Sequence, residues 1–127
     1  MAKYVDGFVL VVAEKKLKEY KKMAVIGAKV WMKHGALDYK ECVSDDIRPT
    51  GMGDFVPFFP KMTNLKKGEV IIFSFIVFKS RKHRDQVNAK VMKDPLMTEQ
   101  HWEDEPMPFD MKRMAYGGFE VMVDGLS

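Results

Sequence analysis

The stretch 70-VIIFSFIVF-78 decides the fold, because it is apolar on both of its alternating sides. Apart from Ser74, its residues are β-branched or aromatic, which favours a strand over a helix. Successive side chains of a strand point to opposite faces. One set is Val70, Ile72, Ile76 and Phe78, and the other is Ile71, Phe73, Phe75 and Val77. A strand of this kind needs cover on both sides.

The residues on either side of this stretch predict three more strands and two helices. We predict strands at 4–12, 36–43 and 113–123, and helices at 14–34 and 80–94. Gly35 is placed to end the first helix, and Ser80 to cap the second, which Pro95 stops. Prolines exclude a long helix between 44 and 68, so we expect an extended segment at 58–62 that turns back at 66–68. The pair Gly117-Gly118 predicts a bulge or a close backbone approach in the last strand.

The order β-α-β-β-α-β predicts an α+β fold of the ferredoxin-like kind. In that arrangement the strands form an antiparallel four-stranded sheet, and right-handed crossovers place both helices on one face. The length of 127 residues fits one domain, 1–127.

A second copy of the chain is the simplest cover for the face that the helices leave open. The first strand is also apolar on both sides, with Val5, Val9 and Val11 opposed to Phe8, Leu10 and Val12. Leaving such a face in water forgoes roughly 1.5–3 kcal/mol for each large apolar side chain. We therefore predict a homodimer through the sheet face, closed by a two-fold axis. The alternative is that the segment 44–68 folds over that face.

The amino-acid composition limits which binding partners and which cellular compartment we expect. With 21 basic and 18 acidic residues the net charge is +3, too small for a protein that neutralises many phosphates, so nucleic acid is not an expected partner. The single cysteine, Cys42, excludes an intrachain disulfide and favours the cytoplasm. No apolar run approaches a membrane span, and the three histidines lack metal-site spacing. We predict neither a metal nor a cofactor.

Polar side chains inside apolar strands are the candidate catalytic residues. They are Asp6, Ser74, Tyr116 and Glu120. A carboxylate in such a place is solvated, paired or shifted in pKa, and a raised pKa suits general acid–base chemistry. Asp6 and Glu120 lie on strands predicted to be neighbours, near each other or near Arg113. The alternative for these residues is a structural ion pair or a strand end that reaches water.

Two further sets of residues have predicted roles. The candidates for lining a ligand pocket are Phe8, Phe73, Phe75, Arg113 and Met114. The candidates for a structural clamp are Arg84 and Asn88 on the second helix, which are expected to meet Asp110 of the C-terminal loop.

Several blocks of the chain resemble the YbaA-like family. They are Tyr4-Val5-Asp6-Gly7-Phe8, Gly35-Ala36-Leu37, Glu41-Cys42, Phe73-Ser74-Phe75, Arg84-Asp85, Met107-Pro108-Phe109-Asp110 and Tyr116-Gly117-Gly118-Phe119. The resemblance implies a dimeric α/β barrel. It implies no reaction, because the family has no assigned activity. The wider superfamily includes cofactor-free monooxygenases, haem-degrading enzymes and isomerase-like proteins, an analogy at the level of the fold alone.

Three functions remain open from the sequence. The first is a homodimer that binds a small apolar or aromatic molecule in the barrel, with monooxygenase-like or isomerase-like activity. The second is a structural or regulatory dimer without a ligand. The third is an RNA-binding module, which shares the element order but needs a basic, glycine-containing third strand that 70–78 lacks.

Overall fold

A computed structural model of the chain describes residues 2–48, 58–98 and 107–126. Four strands form one antiparallel sheet, accompanied by helices. The strands are β1 (Tyr4–Ala13), β2 (Asp38–Val43), β3 (Glu69–Phe78) and β4 (Ala115–Glu120). The α-helices are α1 (Leu17–Lys33), α2 (Phe59–Thr63), α3 (Arg81–Met92) and α4 (Pro95–Thr98), and 3-10 turns span Glu14–Lys16 and Met111–Arg113.

The strands lie side by side in the order β2-β3-β1-β4, and β3 is paired with β1 over its whole length. Phe8 lies opposite Ser74 of β3 and Tyr116 of β4. Val9 lies opposite Phe73, and Val5 lies opposite Val77. Residues paired in this way point to the same side of the sheet, so the two opposed apolar sets of β1 and β3 are confirmed.

One face of the sheet is covered by α1 and α3. Phe78 of β3 packs with Val30 of α1 and Val87 of α3. Toward the other end of α1, Val12 and Ile72 pack with Tyr20. Phe78, Val12 and Val30 are fully buried, and each contributes roughly 1.5–3 kcal/mol through the apolar area removed from water. We call this side the helix face.

The predicted ends of the two long helices are confirmed. Gly35 follows α1 with a φ of 110°, a left-handed conformation that glycine adopts without strain. The hydroxyl of Ser80 accepts a hydrogen bond of 3.1 Å from the backbone N–H of His83 in the first turn of α3. Pro95 follows α3 and also begins α4, because proline suits the first turn of a helix.

The extended segment predicted at 58–62 is wrong, since residues 59–63 form α2. Pro60 lies in the first turn of this helix, where the missing N–H of proline costs nothing, so prolines that exclude a long helix still permit a short one. Arg113 holds the end of α2. Its Nη2 donates to the carbonyl oxygens of Thr63 at 3.1 Å and Asn64 at 2.9 Å, and its Nη1 lies 2.6 Å from Glu69 Oε2.

The opposite side of the sheet, which we call the open face, is covered only in part. It presents Val5, Val9, Val11, Ile71, Phe73, Phe75, Val77 and Phe119. At the end near α2, Val11 and Ile71 are 3% and 2% exposed. Phe73 and Phe119 remain 46% and 62% exposed. Part of the 44–68 segment therefore lies over one end of this face, while residues 49–57 of that segment lie outside the described residues.

The glycine pair in β4 marks a close approach. The pairing of β4 with β1 is continuous from Val9–Ala115 to Tyr4–Glu120, without a bulge. A Cβ atom at Gly118 would collide with the phenol of Tyr4. The predicted close approach is therefore confirmed, and the group that approaches the backbone of Gly118 is a side chain. The strand is shorter than predicted because Met111–Arg113 form a 3-10 turn, which Asp110 caps by accepting from the backbone N–H of Lys112 at 2.9 Å.

Candidate functional site

Strand β2 places a carboxyl group on the helix face. Tyr39 lies opposite Ile76, and Glu41 lies opposite Ser74, so both point toward α1. The residues that alternate with them, Asp38, Lys40 and Cys42, point to the open face. Glu41 thus lies between the sheet and α1, half-buried among apolar side chains.

Three hydroxyl groups converge on Glu41. Tyr20 of α1 donates a hydrogen bond of 2.5 Å from its Oη to Oε1 of Glu41. Tyr39 donates a longer one, 3.4 Å, to Oε2. The hydroxyl of Ser74 on β3 also hydrogen-bonds to this carboxyl group. These hydroxyl groups come from α1, β2 and β3 and fix the position of Glu41. Helices and strands hold a side chain more precisely than loops do.

Burial dominates the electrostatics of this cluster. It raises the pKa of Glu41, and the hydrogen bonds from Tyr20, Tyr39 and Ser74 oppose that rise without cancelling it. Burial also raises the pKa of Tyr20 and Tyr39, and the nearby carboxyl group adds to the effect. The two phenols therefore stay protonated and act as donors. A carboxyl group of raised pKa in such a place is able to exchange a proton with a bound molecule.

Two clefts meet at Glu41, and together we call them the α1 cavity. The larger has a volume of about 440 Å³ and is lined by Leu17, Tyr20, Lys21, Ala24, Val25, Ala28, Tyr39, Glu41, Val43 and Ile72. The smaller has about 310 Å³ and is lined by Tyr20, Met23, Ala24, Gly27, Trp31, Tyr39, Glu41, Met97 and Met107. These volumes and mostly apolar walls are typical of small-molecule sites.

A second polar cluster ties α3 to β1. Asp6 is 2% exposed, and its Oδ1 accepts a hydrogen bond of 2.8 Å from Nη1 of Arg84. The guanidinium group of Arg84 also lies over the ring of Tyr4, 4.9 Å from its centre. Asn88 hydrogen-bonds to Asp6 as well, and it accepts from Nε1 of Trp31 at 3.0 Å. Burial raises the pKa of Asp6, while the positive charge of Arg84 lowers it. The arrangement is a buried structural ion pair.

The candidate catalytic residues are divided between these clusters. Asp6 and Tyr116 both approach Arg84, with 3.5 Å between the Tyr116 hydroxyl and Nη1. Ser74 belongs to the Glu41 cluster. Glu120 is exposed at the end of β4, opposite Tyr4 in the register. The ionic partner of Asp6 is thus Arg84, whereas Arg113 pairs with Glu69.

The candidate pocket residues do not line one pocket within a single chain. Phe8 and Met114 pack on the helix face, whereas Phe73 and Phe75 point to the open face. Arg113 is engaged with Glu69 and the end of α2. Of the clamp candidates, Arg84 and Asn88 both hold Asp6, and Asp110 instead caps the turn at Met111–Arg113.

Sequence reasoning missed the residues that hold the α1 cavity together. In β2, Glu41 alternates with Tyr39 and Val43 on the apolar side of the strand. This alternation was the one feature of the sequence that could have predicted that Glu41 faces the interior. Tyr20 lies on the apolar side of α1. Their contact joins residues 21 positions apart on different elements, which no local pattern predicts.

The described residues hold no group of three or more His, Cys, Asp or Glu side chains arranged to bind a metal ion. Within the same residues, no helix is both long and apolar enough to span a bilayer.

The fold and site define a small α+β protein with a half-buried carboxyl group beside an apolar cavity. The chain belongs to the family described as "Protein of unknown function (DUF1428)", whose model matches residues 3–111. It is similar to "Uncharacterized protein YbaA" of Escherichia coli (strain K12), with 42% identity over 122 residues, covering 96% of this chain and 98% of the relative. The same identity and coverage hold for "Uncharacterized protein YbaA" of Shigella flexneri. The resemblance to a YbaA-like family of unknown function is thereby confirmed.

Replacing Glu41 by Gln should change how stability depends on pH. Burial raises the pKa of Glu41 above its ordinary 4.5, so the folded protein binds this proton more tightly than the unfolded chain does. The free energy of unfolding of the wild type therefore falls as pH rises from the unfolded pKa through the folded pKa. Gln does not ionise, so E41Q should gain in stability relative to wild type on going from about pH 4 to about pH 8.

Urea unfolding followed by circular dichroism at several pH values measures this difference. E19Q, which removes an exposed carboxyl group from α1, is the control and should show little change with pH. If the free energies of unfolding of E41Q and wild type differ by the same amount at every pH, a raised pKa at Glu41 is contradicted.

Proposed function

We propose that the chain is a cytoplasmic homodimer of the dimeric α/β-barrel type in which each protomer binds a small apolar or aromatic molecule in the α1 cavity. The observation that carries the proposal is the half-buried Glu41, held by Tyr20, Tyr39 and Ser74 at the junction of two apolar clefts. A few convergent polar groups in an otherwise apolar pocket are what fixes the orientation of a small ligand. An isomerase-like proton transfer is the activity that such a carboxyl group supports best.

The open face supports the dimer. Between Val5 and Val11 and between Ile71 and Val77, the open-face side chains of the two central strands carry no charge. Phe73 and Phe119 are exposed on this face, whereas Val11 and Ile71 are buried. Exposed apolar surface of this kind is typical of interaction sites, and two-fold dimers are the commonest assembly. The strand order β2-β3-β1-β4 supports the ferredoxin-like, barrel-forming type of sheet. The single cysteine supports a reducing compartment.

Filling the α1 cavity should abolish ligand binding. We expect aromatic compounds from a fragment panel to raise the melting temperature of the wild type. At a ligand concentration tenfold above Kd, binding stabilises the folded state by about 1.4 kcal/mol. Ala28 lines the larger cleft, so A28F should place a ring where the ligand lies and remove the shift. Differential scanning fluorimetry measures both effects.

A89F is the matched control, because it adds the same ring to an exposed position of α3 and should keep the shift. A panel in which nothing stabilises the wild type would refute the cavity as a ligand site and leave a ligand-free dimer. Binding that survives A28F would show that the ligand binds outside the α1 cavity.

A charge on the open face should separate the protomers. Cys42 is exposed and lies beside Phe73 in the register, so its thiol reports on whether this face is covered. In F73E the carboxylate would meet the apolar surface of the second copy, and we expect the variant to be monomeric. Alkylation of Cys42 by iodoacetamide should then be several-fold faster than in the wild type.

M92E places the same charge at an exposed position of α3 and should leave the rate of Cys42 alkylation unchanged. Equal alkylation rates in F73E and wild type, with no dependence on protein concentration, would argue against a partner on the open face.

A further inference from the structure

We infer that the molecule bound in the α1 cavity carries a positively charged ammonium group that pairs with the carboxylate of Glu41. This inference rests on the proposed function, since it names the chemical class of the ligand for the same cavity.

The pairing of the other acidic side chains sets Glu41 apart. In the described part of the chain, each of the other buried or half-buried carboxylates forms an ion pair. These pairs are Asp6–Arg84, Asp38–Lys40, Glu69–Arg113, Asp94–Lys33 and Asp124–Lys3. No ion pair joins Glu41 to a basic side chain of the described residues, and its hydrogen-bond partners are neutral hydroxyl groups. The described residues thus leave the charge of Glu41 for another molecule to balance.

The walls of the smaller cleft favour a cation. Aromatic rings of Tyr20, Tyr39 and Trp31 line it together with Glu41, and among the described residues that line it there is no Lys, Arg or His. The faces of such rings attract positive charge, most strongly where water is excluded. In the larger cleft, Lys21 is the one basic residue among the described lining residues, and it is an exposed residue of α1. An anionic ligand would meet Glu41 unfavourably, and a neutral one would leave its charge unbalanced.

The carboxylate also has room for another donor. A carboxylate accepts about four hydrogen bonds, and the bond from Tyr39 to Oε2 is long at 3.4 Å. An ammonium group brings up to three donors to this oxygen, and the resulting bonds are charge-assisted. The apolar body of the ligand then extends into the larger cleft, beside Leu17, Ala28 and Ile72.

A pair of probes of equal size tests this inference. Isothermal titration calorimetry at neutral pH would compare phenethylamine, which is cationic, with phenethyl alcohol, which is neutral. We expect the amine to bind the wild type about tenfold more tightly, the difference that one hydrogen bond between charged groups supplies. E41Q should remove that preference, so that this variant binds the amine and the alcohol with affinities within about twofold of each other. E19Q, which removes an exposed charge from the same helix, should keep the preference.

Each outcome has a distinct meaning. Equal affinity of the wild type for amine and alcohol would overturn the inference and leave the proposed ligand cavity standing. Loss of the preference in E19Q as well as in E41Q would show a long-range charge effect and would also overturn it. Absence of binding by both probes would count against the inference, and the fragment panel would then decide on the cavity itself.

Discussion

The fold depends on one constraint: β3 is apolar on both faces, and the long helices are able to cover only one of them. On the helix face, Phe78, Val12 and Val30 are fully buried because α1 and α3 lie across the sheet. On the open face the chain supplies the short helix α2, which lies near Ile71 at one end. The aromatic side chains of Phe73 and Phe119 keep much of their area exposed. This exposed surface is the reason for proposing a second protomer.

The interior charges show how the helices are held on the sheet. Arg84 reaches from α3 to Asp6 of β1, and Lys33 of α1 reaches Asp94, which follows α3. The Asp6–Arg84 pair is buried, so removing one partner would leave an uncompensated charge, and this contact holds α3 on the sheet. The Lys33 side chain is exposed, and its contact with Asp94 joins the two helices to each other. Glu41 differs because its partners are hydroxyl groups, and because a cavity adjoins it. That difference is the reason for proposing a role in ligand binding for Glu41.

Local patterns predicted the elements better than they predicted the site. The strand pattern of 70–78, the glycine after α1 and the serine before α3 are each decided by neighbouring residues, and the structure agrees with them. Helix α2 was missed because a single helical turn has no periodicity to read. Glu41 was missed because β2 also carries Asp38 and Lys40, so the strand resembled an exposed edge. Asp6 was recognised as unusual, but its partner Arg84 lies 78 residues away.

The mass of the protein in dilute solution tests the central claim most directly. Size-exclusion chromatography with multi-angle light scattering should give twice the 14.7 kDa of one chain, because the exposed part of the open face then lies between two protomers. A mass equal to one chain across the accessible concentration range would contradict the account. The open face would then belong to a monomer, and the barrel would not exist.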